Sequence, residues 1–168
     1  KADLYNPFSL PKTNGYTILA ILLHPESSGN ILLQSKDSRV APLIQPNFLS
    51  KENDVKRLLF GLKKAMAVMD SSSFDDVRLK KMNWPPRNST DDILIEHLKK
   101  TLETLYHPVG TCRMGNGENS VVNDKLQVHG IENLRVADAS IMPEIISGNT
   151  NAACLMIAEK AADFILNN

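Results

Sequence analysis

Apolar residues in the first third of this chain form short blocks separated by turn residues. One block runs from Ile18 to Leu23, and a second, rich in Ile and Leu, follows a Ser-Gly turn. Short apolar blocks bounded in this way are typical of strands. We therefore predict an antiparallel pair formed by residues 15–27 and 28–35 through the loop PESSGN, with the proline-interrupted stretch 41–50 as an edge or crossing strand.

The spacing of apolar residues becomes helical after Ser50. Ser50 is a favourable N-cap, and Glu52 and Asp54 would lie in the first turn, where the helix dipole favours acidic side chains. The apolar residues recur three and four positions apart and define one buried face, formed by Val55, Leu58, Leu59, Leu62, Ala65, Met66 and Met69. The pattern predicts an amphipathic helix that ends at DSSSF.

A second helix is predicted after the breaker MNWPPRNST, in which Trp84 is interpreted as a packed loop anchor. This helix would start after Ser89 or Thr90, with Asp91 and Asp92 in its first turn. Its predicted buried stripe consists of Leu94, Ile95, Leu98, Leu102 and Leu105.

The last third of the chain combines short β-like pieces with one strongly apolar helix. We predict a compact strand from Leu134 to Ala137 and a final helix that begins near Asn149. From Ala152 to Ala158 this helix is apolar on nearly every side, which predicts that a further layer covers it. The order of elements indicates an α+β fold, an antiparallel sheet with packed helices.

Composition narrows the possible partners. The chain has 19 Lys plus Arg and 19 Asp plus Glu, so its charge gives no reason to expect nucleic acid or an anionic membrane. No apolar run is long enough to span a bilayer. The two cysteines, Cys112 and Cys154, are interpreted as reduced thiols, and no metal site is predicted.

The loop YHPVGTCRMG, residues 106–115, is the first candidate for chemistry. Pro108 biases His107 towards an extended backbone, and Gly110 permits a tight turn. A histidine held in this way suits a general base near neutral pH. The alternative is that His107 is an ordinary structural residue of the loop.

Two further stretches suit the approach of a ligand. In SGNTNAAC, the free backbone N–H groups at the start of the last helix would stabilise an anion, unless Asn149 merely caps that helix. In VADAS, Asp138 is followed by the small residues Ala139 and Ser140, which allow close backbone approach, although an ordinary turn is the alternative.

Taken together, these motifs resemble the C-terminal part of the glucose–methanol–choline (GMC) oxidoreductases, a family of FAD-dependent alcohol oxidases and dehydrogenases that includes choline-oxidising members. The resemblance covers nearly the whole chain, and it is most specific in HPVGTCRMG and RVADASIMP, which occur in this order and spacing. It implies a substrate-domain sheet with helices, followed by a strand and a helix that complete the FAD domain.

The resemblance also implies a role for individual residues. His107 would face the flavin and help to remove the alcohol proton, and Asn149 would occupy the second active-site position. The backbone of Asp138 and Ala139 would approach FAD, and Asn149 and Thr150 would begin the helix near the pyrimidine ring of the flavin. A helix N-terminus suits the negative charge of a reduced flavin there.

The resemblance further implies a division into residues 1–106, from the substrate domain, and residues 107–168, the signature region. The family's N-terminal FAD-binding part, with its glycine-rich loop, is not found in these residues, so we expect no FAD on this stretch alone. The expected partners are a small alcohol, the N-terminal FAD-binding part and, through the terminal helix, a second copy. A non-catalytic binding module and a non-redox lyase on the same fold remain alternatives. The sequence does not indicate a compartment.

Overall fold

The computed structural model describes residues 15–77 and 85–167, which leaves Trp84 outside the described residues. Within these ranges the chain forms a two-stranded sheet, three α-helices and two short 3₁₀ turns. Their bounds are β1 Asn30–Leu32, β2 Leu43–Gln45, α1 Glu52–Met69, α2 Asp91–Thr101, α3 Asn151–Leu166, and the 3₁₀ turns Ser72–Phe74 and Ala139–Ile141. This inventory confirms the predicted α+β class.

The chain divides into two compact units. The first comprises Lys1–Leu22 and Lys51–Glu103, and the second comprises Leu23–Ser50 and Thr104–Asn168. The predicted division at residue 106 concerns the domains of the full-length family members, and compact units within this chain do not test it. It stays a prediction.

Helices α1 and α2 pack together in the first unit. Leu58 and Met66 of α1 are buried, as are Leu94 and Leu98 of α2, which confirms the predicted face of α1 and the first part of that of α2. Helix α2 ends at Thr101, so the predicted Leu102 and Leu105 lie beyond it. The Lys63 ammonium lies 2.6 Å from the Asp91 carboxylate and links the two helices. Both side chains are about half exposed, so this ion pair contributes roughly 0.2–1 kcal/mol.

Two predicted helix boundaries need correction. The N-cap of α1 is Lys51, with extended backbone and no side-chain capping bond, and not Ser50. Leu49, immediately before Ser50, has a left-handed backbone with φ 58°, so the chain is still turning there. Similarly, Thr150 is the N-cap of α3, and Asn149 lies one residue before it without capping the helix.

The sheet differs from the predicted one. Strand β1 pairs with β2, in the register Ile31 opposite Ile44, and not with residues 15–27. Residues 15–22 instead belong to the first unit, where Tyr16 stacks on Phe74 with ring centroids 5.2 Å apart. Residues 15–22 group with α1 and α2 and are therefore not the partner strand of β1. Leu19 and Ile21 remain about half exposed. The prediction that residues 41–50 contribute a strand is confirmed.

Gly29 explains how the strand pair closes. A Cβ atom at this position would lie 2.0 Å from the carbonyl oxygen of Gln45, a distance that no side chain can occupy. Only glycine therefore permits the two backbones to approach at the start of β1.

The core of the second unit is built by residues after position 108. Its fully covered members are Val122, Leu126, Ile141, Met142, Ile157 and Ala161, and Val109, Met114, Ala139 and Cys154 pack against them. These residues come from the 106–115 loop, the following turns, the second 3₁₀ turn and α3. One apolar core thus holds together the three stretches that the sequence singled out.

The predicted strand from Leu134 to Ala137 is reduced to a single bridge. Among the described residues, Arg135 pairs only with Gln127, in an isolated antiparallel bridge. A strand is stabilised by several successive residue pairs with a neighbouring strand, and in the described chain this segment forms one such pair. The segment is therefore extended but is not a strand here.

Helix α3 is buried on one side only. Ile157 is 4% exposed and Ala161 6%, whereas Leu155 is 62% and Met156 57% exposed. The described residues of this chain cover one side of α3. The side that carries Leu155 and Met156 is an uncovered apolar face.

Candidate active site

Backbone hydrogen bonds fix the loop 106–115. The N–H of Cys112 donates to the carbonyl of Ser140 at 3.0 Å, and the N–H of Met114 donates to that of Ile141 at 2.8 Å. Gly110 has a φ of 86°, in the left-handed region that glycine favours. The loop is thereby held along the second 3₁₀ turn.

The imidazole of His107 is half-buried at the start of this loop. Within residues 15–77 and 85–167 it makes no hydrogen bond and no ion pair. Pro108 follows it, and Tyr106 before it has a left-handed backbone with φ 62°. The ring nitrogens of His107 are therefore available to a bound group, while the backbone on both sides is restrained.

Asp138 caps the second 3₁₀ turn. Its carboxylate oxygen Oδ1 accepts a hydrogen bond from the backbone N–H of Ser140 at 2.7 Å. Hydrogen bonding to Ser140 holds the pKa of this carboxyl below its usual value, so the group is ionised at neutral pH. Ala139, next in the chain, packs its methyl group on the core. The turn thus combines the Asp138 carboxylate with the small side chain of Ala139.

The N-terminus of α3 carries unused donors. Thr150 makes no side-chain capping bond, and the first helical bond runs from the Cys154 N–H to the Thr150 carbonyl at 2.9 Å. In the part of the chain that the structure describes, the N–H groups of residues 151–153 have no acceptor. Asn149, just before the helix, is exposed. The N-terminus of α3 therefore offers N–H donors at the positive end of the helix dipole.

A contact that the sequence did not predict lies near Asn149. Nε2 of His24 lies 2.5 Å from the hydroxyl oxygen of Ser147, across 123 residues of chain. No local sequence pattern indicates a pairing over such a separation. Only the tertiary structure brings these two residues together.

The structure thus joins some predicted site residues and leaves others apart. The His107 loop and the Asp138 turn are linked by backbone hydrogen bonds, and α3 shares their core. No hydrogen bond connects His107 with Asn149 in residues 15–77 and 85–167. The same residues contain no cluster of His, Cys, Asp or Glu that could hold a metal ion and no helix long and apolar enough to cross a membrane.

Comparison with protein families identifies the relationship. The sequence model of the C-terminal domain of GMC oxidoreductases matches residues 25–158, which include the 106–115 loop, Asp138 and Asn149. The chain belongs to the GMC oxidoreductase family. The resemblance read from HPVGTCRMG and RVADASIMP is therefore confirmed.

Two curated relatives illustrate how far the similarity extends. An alcohol dehydrogenase (acceptor) of Pseudomonas putida is 44% identical over 152 residues, which cover 90% of this chain and 28% of that protein. An oxygen-dependent choline dehydrogenase of Escherichia coli is 37% identical over 161 residues, covering 96% of this chain and 29% of that protein. The chain therefore spans less than a third of the length of these relatives.

Solved structures agree in fold. Pyridoxine 4-oxidase from Mesorbium loti superposes with a TM-score of 0.79 at 29% identity, over 86% of this chain and 28% of that one. A formate oxidase gives a TM-score of 0.74 at 31% identity, over 84% of this chain and 25% of that one. A formate oxidase from Aspergillus oryzae superposes with a TM-score of 0.76 at 30% identity, over 82% of this chain and 24% of that one. That structure concerns the FAD modification of the enzyme. Members of the family are FAD-dependent enzymes.

The residues of this chain suit a flavin in their chemistry. The donor set at the N-terminus of α3 matches an electron-rich ring system, because free N–H groups and a positive dipole stabilise negative charge. The small Ala139 leaves the backbone of the second 3₁₀ turn approachable. This chemical match applies to the flavin atoms that would lie next to the N-terminus of α3 and the second 3₁₀ turn.

Proposed function

We propose that this chain is the C-terminal part of an FAD-dependent alcohol oxidoreductase in which His107 is the general base. The observation that carries the proposal is the state of His107, half-buried and without a described side-chain partner on a loop fixed by backbone bonds. A core histidine would be expected to use its ring nitrogens within the protein, because buried polar groups are normally hydrogen-bonded.

The residues of this chain would divide the work as follows. His107 accepts the hydroxyl proton of the alcohol on a ring nitrogen, and this requires hydrogen-bond reach of the hydroxyl oxygen. Asn149 donates its side-chain N–H to the same oxygen as negative charge develops there. When bound, FAD supplies the acceptor for the hydride that leaves the substrate carbon.

The remaining predicted residues would hold the flavin. The backbone of Asp138 and Ala139 would line its binding site, and the donors after Thr150 would face its electron-rich ring. Asp138 is ionised at neutral pH, and its carboxylate accepts a hydrogen bond from the backbone N–H of Ser140. Its role would be to shape the turn and not to exchange protons. The N-terminal FAD-binding part of the full-length protein would provide the rest of the site.

One experiment tests the proposal most directly. The full-length protein is purified, its visible spectrum is recorded, and alcohols are added without oxygen. The panel includes choline, simple primary alcohols and pyridoxine, since these compounds or their class appear in the names of relatives. We expect bound flavin and loss of its absorbance with at least one alcohol. Bound flavin that no alcohol bleaches would favour a lyase, and absence of flavin would favour a binding module.

A further inference from the structure

The contact between His24 and Ser147 lies two residues before Asn149. Nε2 of His24 and Oγ of Ser147 are 2.5 Å apart. We propose that His24, acting through Ser147, is a positioning residue that fixes the segment carrying Asn149. The consequence for catalysis rests on the proposed function of Asn149, whereas the anchoring itself does not.

The segment has little else to hold it. From residue 143 to residue 149, the contact with His24 is the one hydrogen bond found in the described part of the chain. A Cβ atom on Gly148 would meet nothing within 4 Å, so a side chain at this position would find open space. Asn149 itself is exposed. Loss of the Ser147 contact would therefore leave residues 143–149, between the buried Met142 and α3, without a hydrogen bond in the described part of the chain.

The His24 end of the contact is held by its own backbone. His24 has a φ of 53°, in the left-handed region that residues other than glycine seldom adopt. Pro25 follows it and restricts the backbone further. Such conformations persist where the surrounding structure determines them, and they are frequent at functional sites. The imidazole is thus carried by a constrained turn, as an anchor for a loop requires.

The chemistry of the pair suits positioning. A serine hydroxyl both donates and accepts, and a neutral imidazole has one nitrogen of each kind, so the pair forms with either tautomer of His24. Because the contact is made by two side chains, a single side-chain substitution removes it. Ser147→Ala, at an exposed position, removes the hydroxyl alone.

The test uses the full-length protein with four variants: His24→Ala, Ser147→Ala, the double variant and His24→Gln. The amide nitrogen of glutamine occupies roughly the place of Nε2 and should restore the bond. His97→Ala is the control, because His97 lies on α2 in the other unit and its side chain has no hydrogen bond in the described residues.

Two readouts separate positioning from general stability. After selective labelling with ¹⁵N-glycine, the Gly148 amide should lose order in the two single variants, from an order parameter near 0.85 to below about 0.6. Flavin reduction by the alcohol should slow about three- to tenfold, the effect of one neutral hydrogen bond. The double variant should be no slower than either single one, and His24→Gln should restore both readouts.

The inference is overturned if Gly148 stays ordered in Ser147→Ala, or if the two single effects on rate multiply in the double variant. His107→Ala in the same assay keeps this failure distinct from failure of the proposed function. If His107→Ala is reduced at the parent rate, the proposed base is wrong, while the order of Gly148 still decides whether His24 anchors the segment.

Discussion

The backbone N–H of Cys112 donates to the carbonyl oxygen of Ser140 at 3.0 Å. This bond joins the loop that carries His107 to the turn that Asp138 caps. Because it uses main-chain atoms, the geometry of the loop does not depend on the side chain at position 107. Substitutions of His107 should therefore leave the loop in place, so their effects can be interpreted chemically.

Gly110→Ala should destabilise the protein by about 1–2 kcal/mol, because φ at this position is 86° and a left-handed conformation is unfavourable for alanine. The new Cβ would also lie 3.4 Å from the carbonyl oxygen of Met142. Chemical unfolding measures the loss. Gly117→Ala is the matched control, since its Cβ would meet nothing within 4 Å. Equal stability of the two variants would show that the loop tolerates another conformation.

Asp138→Ala should cost about 1 kcal/mol at neutral pH, because it removes the cap of the second 3₁₀ turn. Asp138→Asn should keep most of that stability, since its side-chain oxygen can accept from Ser140. The comparison uses unfolding free energies measured at neutral pH.

The pH dependence of the Asp138 contribution follows from its lowered pKa. The folded pKa lies below 3.8, the usual value that the unfolded chain would show. The charge-dependent contribution is thus fully present above about pH 4 and is lost as the pH falls through the lower folded pKa. The stability advantage of the parent over Asp138→Asn should therefore shrink on acidification. Parallel pH profiles for the two proteins would contradict this assignment.

Local signals predicted the helices well, because the information lies within each segment. The stripe that includes Leu58 and Met66 places α1 to within a residue or two, and the acidic first turn at Asp91 and Asp92 places the start of α2. The predicted stripe of α2 extended to Leu105, beyond its observed end at Thr101. The motif residues His107 and Asp138 were also identified from sequence, although their roles remain predictions. Caps were less predictable, since Ser50 is a better capping residue than Lys51 but the turn at Leu49 delays the helix.

Long-range pairings escaped sequence reasoning for a physical reason. Strand β1 pairs with β2, whereas residues 15–22 belong to the first unit, and no local pattern shows this assignment. The contact between His24 and Ser147 is of the same kind. Similarly, the sequence marked α3 as apolar on nearly every side but did not show which side this chain covers.

Helix α3 gives a clear contrast between neighbouring positions. Ile157→Ala should lower the unfolding free energy by about 2–4 kcal/mol, because Ile157 is 4% exposed and its removal leaves a cavity in the core. Leu155→Ala, two residues earlier and 62% exposed, should change it by less than about 0.5 kcal/mol. A large loss for Leu155→Ala would mean that another part of the protein covers this face.

The uncovered face of α3 should also cause these 168 residues to associate when expressed alone. Leu155 and Met156 expose most of their apolar surface side by side, and such patches promote association. Sedimentation should show self-association that Leu155→Lys with Met156→Lys reduces. Glu159→Lys, at an exposed position, is the control, because it changes the net charge by the same amount without removing an apolar side chain. A monodisperse parent chain at high concentration would contradict the expectation.

The last prediction concerns His107 in the full-length protein. His107→Ala should slow flavin reduction by the alcohol about a hundred- to ten-thousand-fold, the usual contribution of a positioned general base. This corresponds to roughly 3–5 kcal/mol of barrier. Substrate affinity should change much less, because the proton is transferred only as the reaction proceeds. Stopped-flow reduction, with FAD content checked for each variant, measures both quantities.

Asn149→Ala should slow the same step less than His107→Ala, because an asparagine amide can donate a hydrogen bond to the substrate oxygen but cannot accept its proton at neutral pH. If His107 is only a structural residue of its loop, its loss should lower stability and leave the reductive rate of the folded enzyme nearly unchanged. A His107→Ala enzyme that retains FAD and is reduced within a few-fold of the parent rate would refute the catalytic assignment. Because the loop is fixed through Cys112 and Ser140, a large loss of rate in His107→Ala could in turn not be attributed to displacement of the loop.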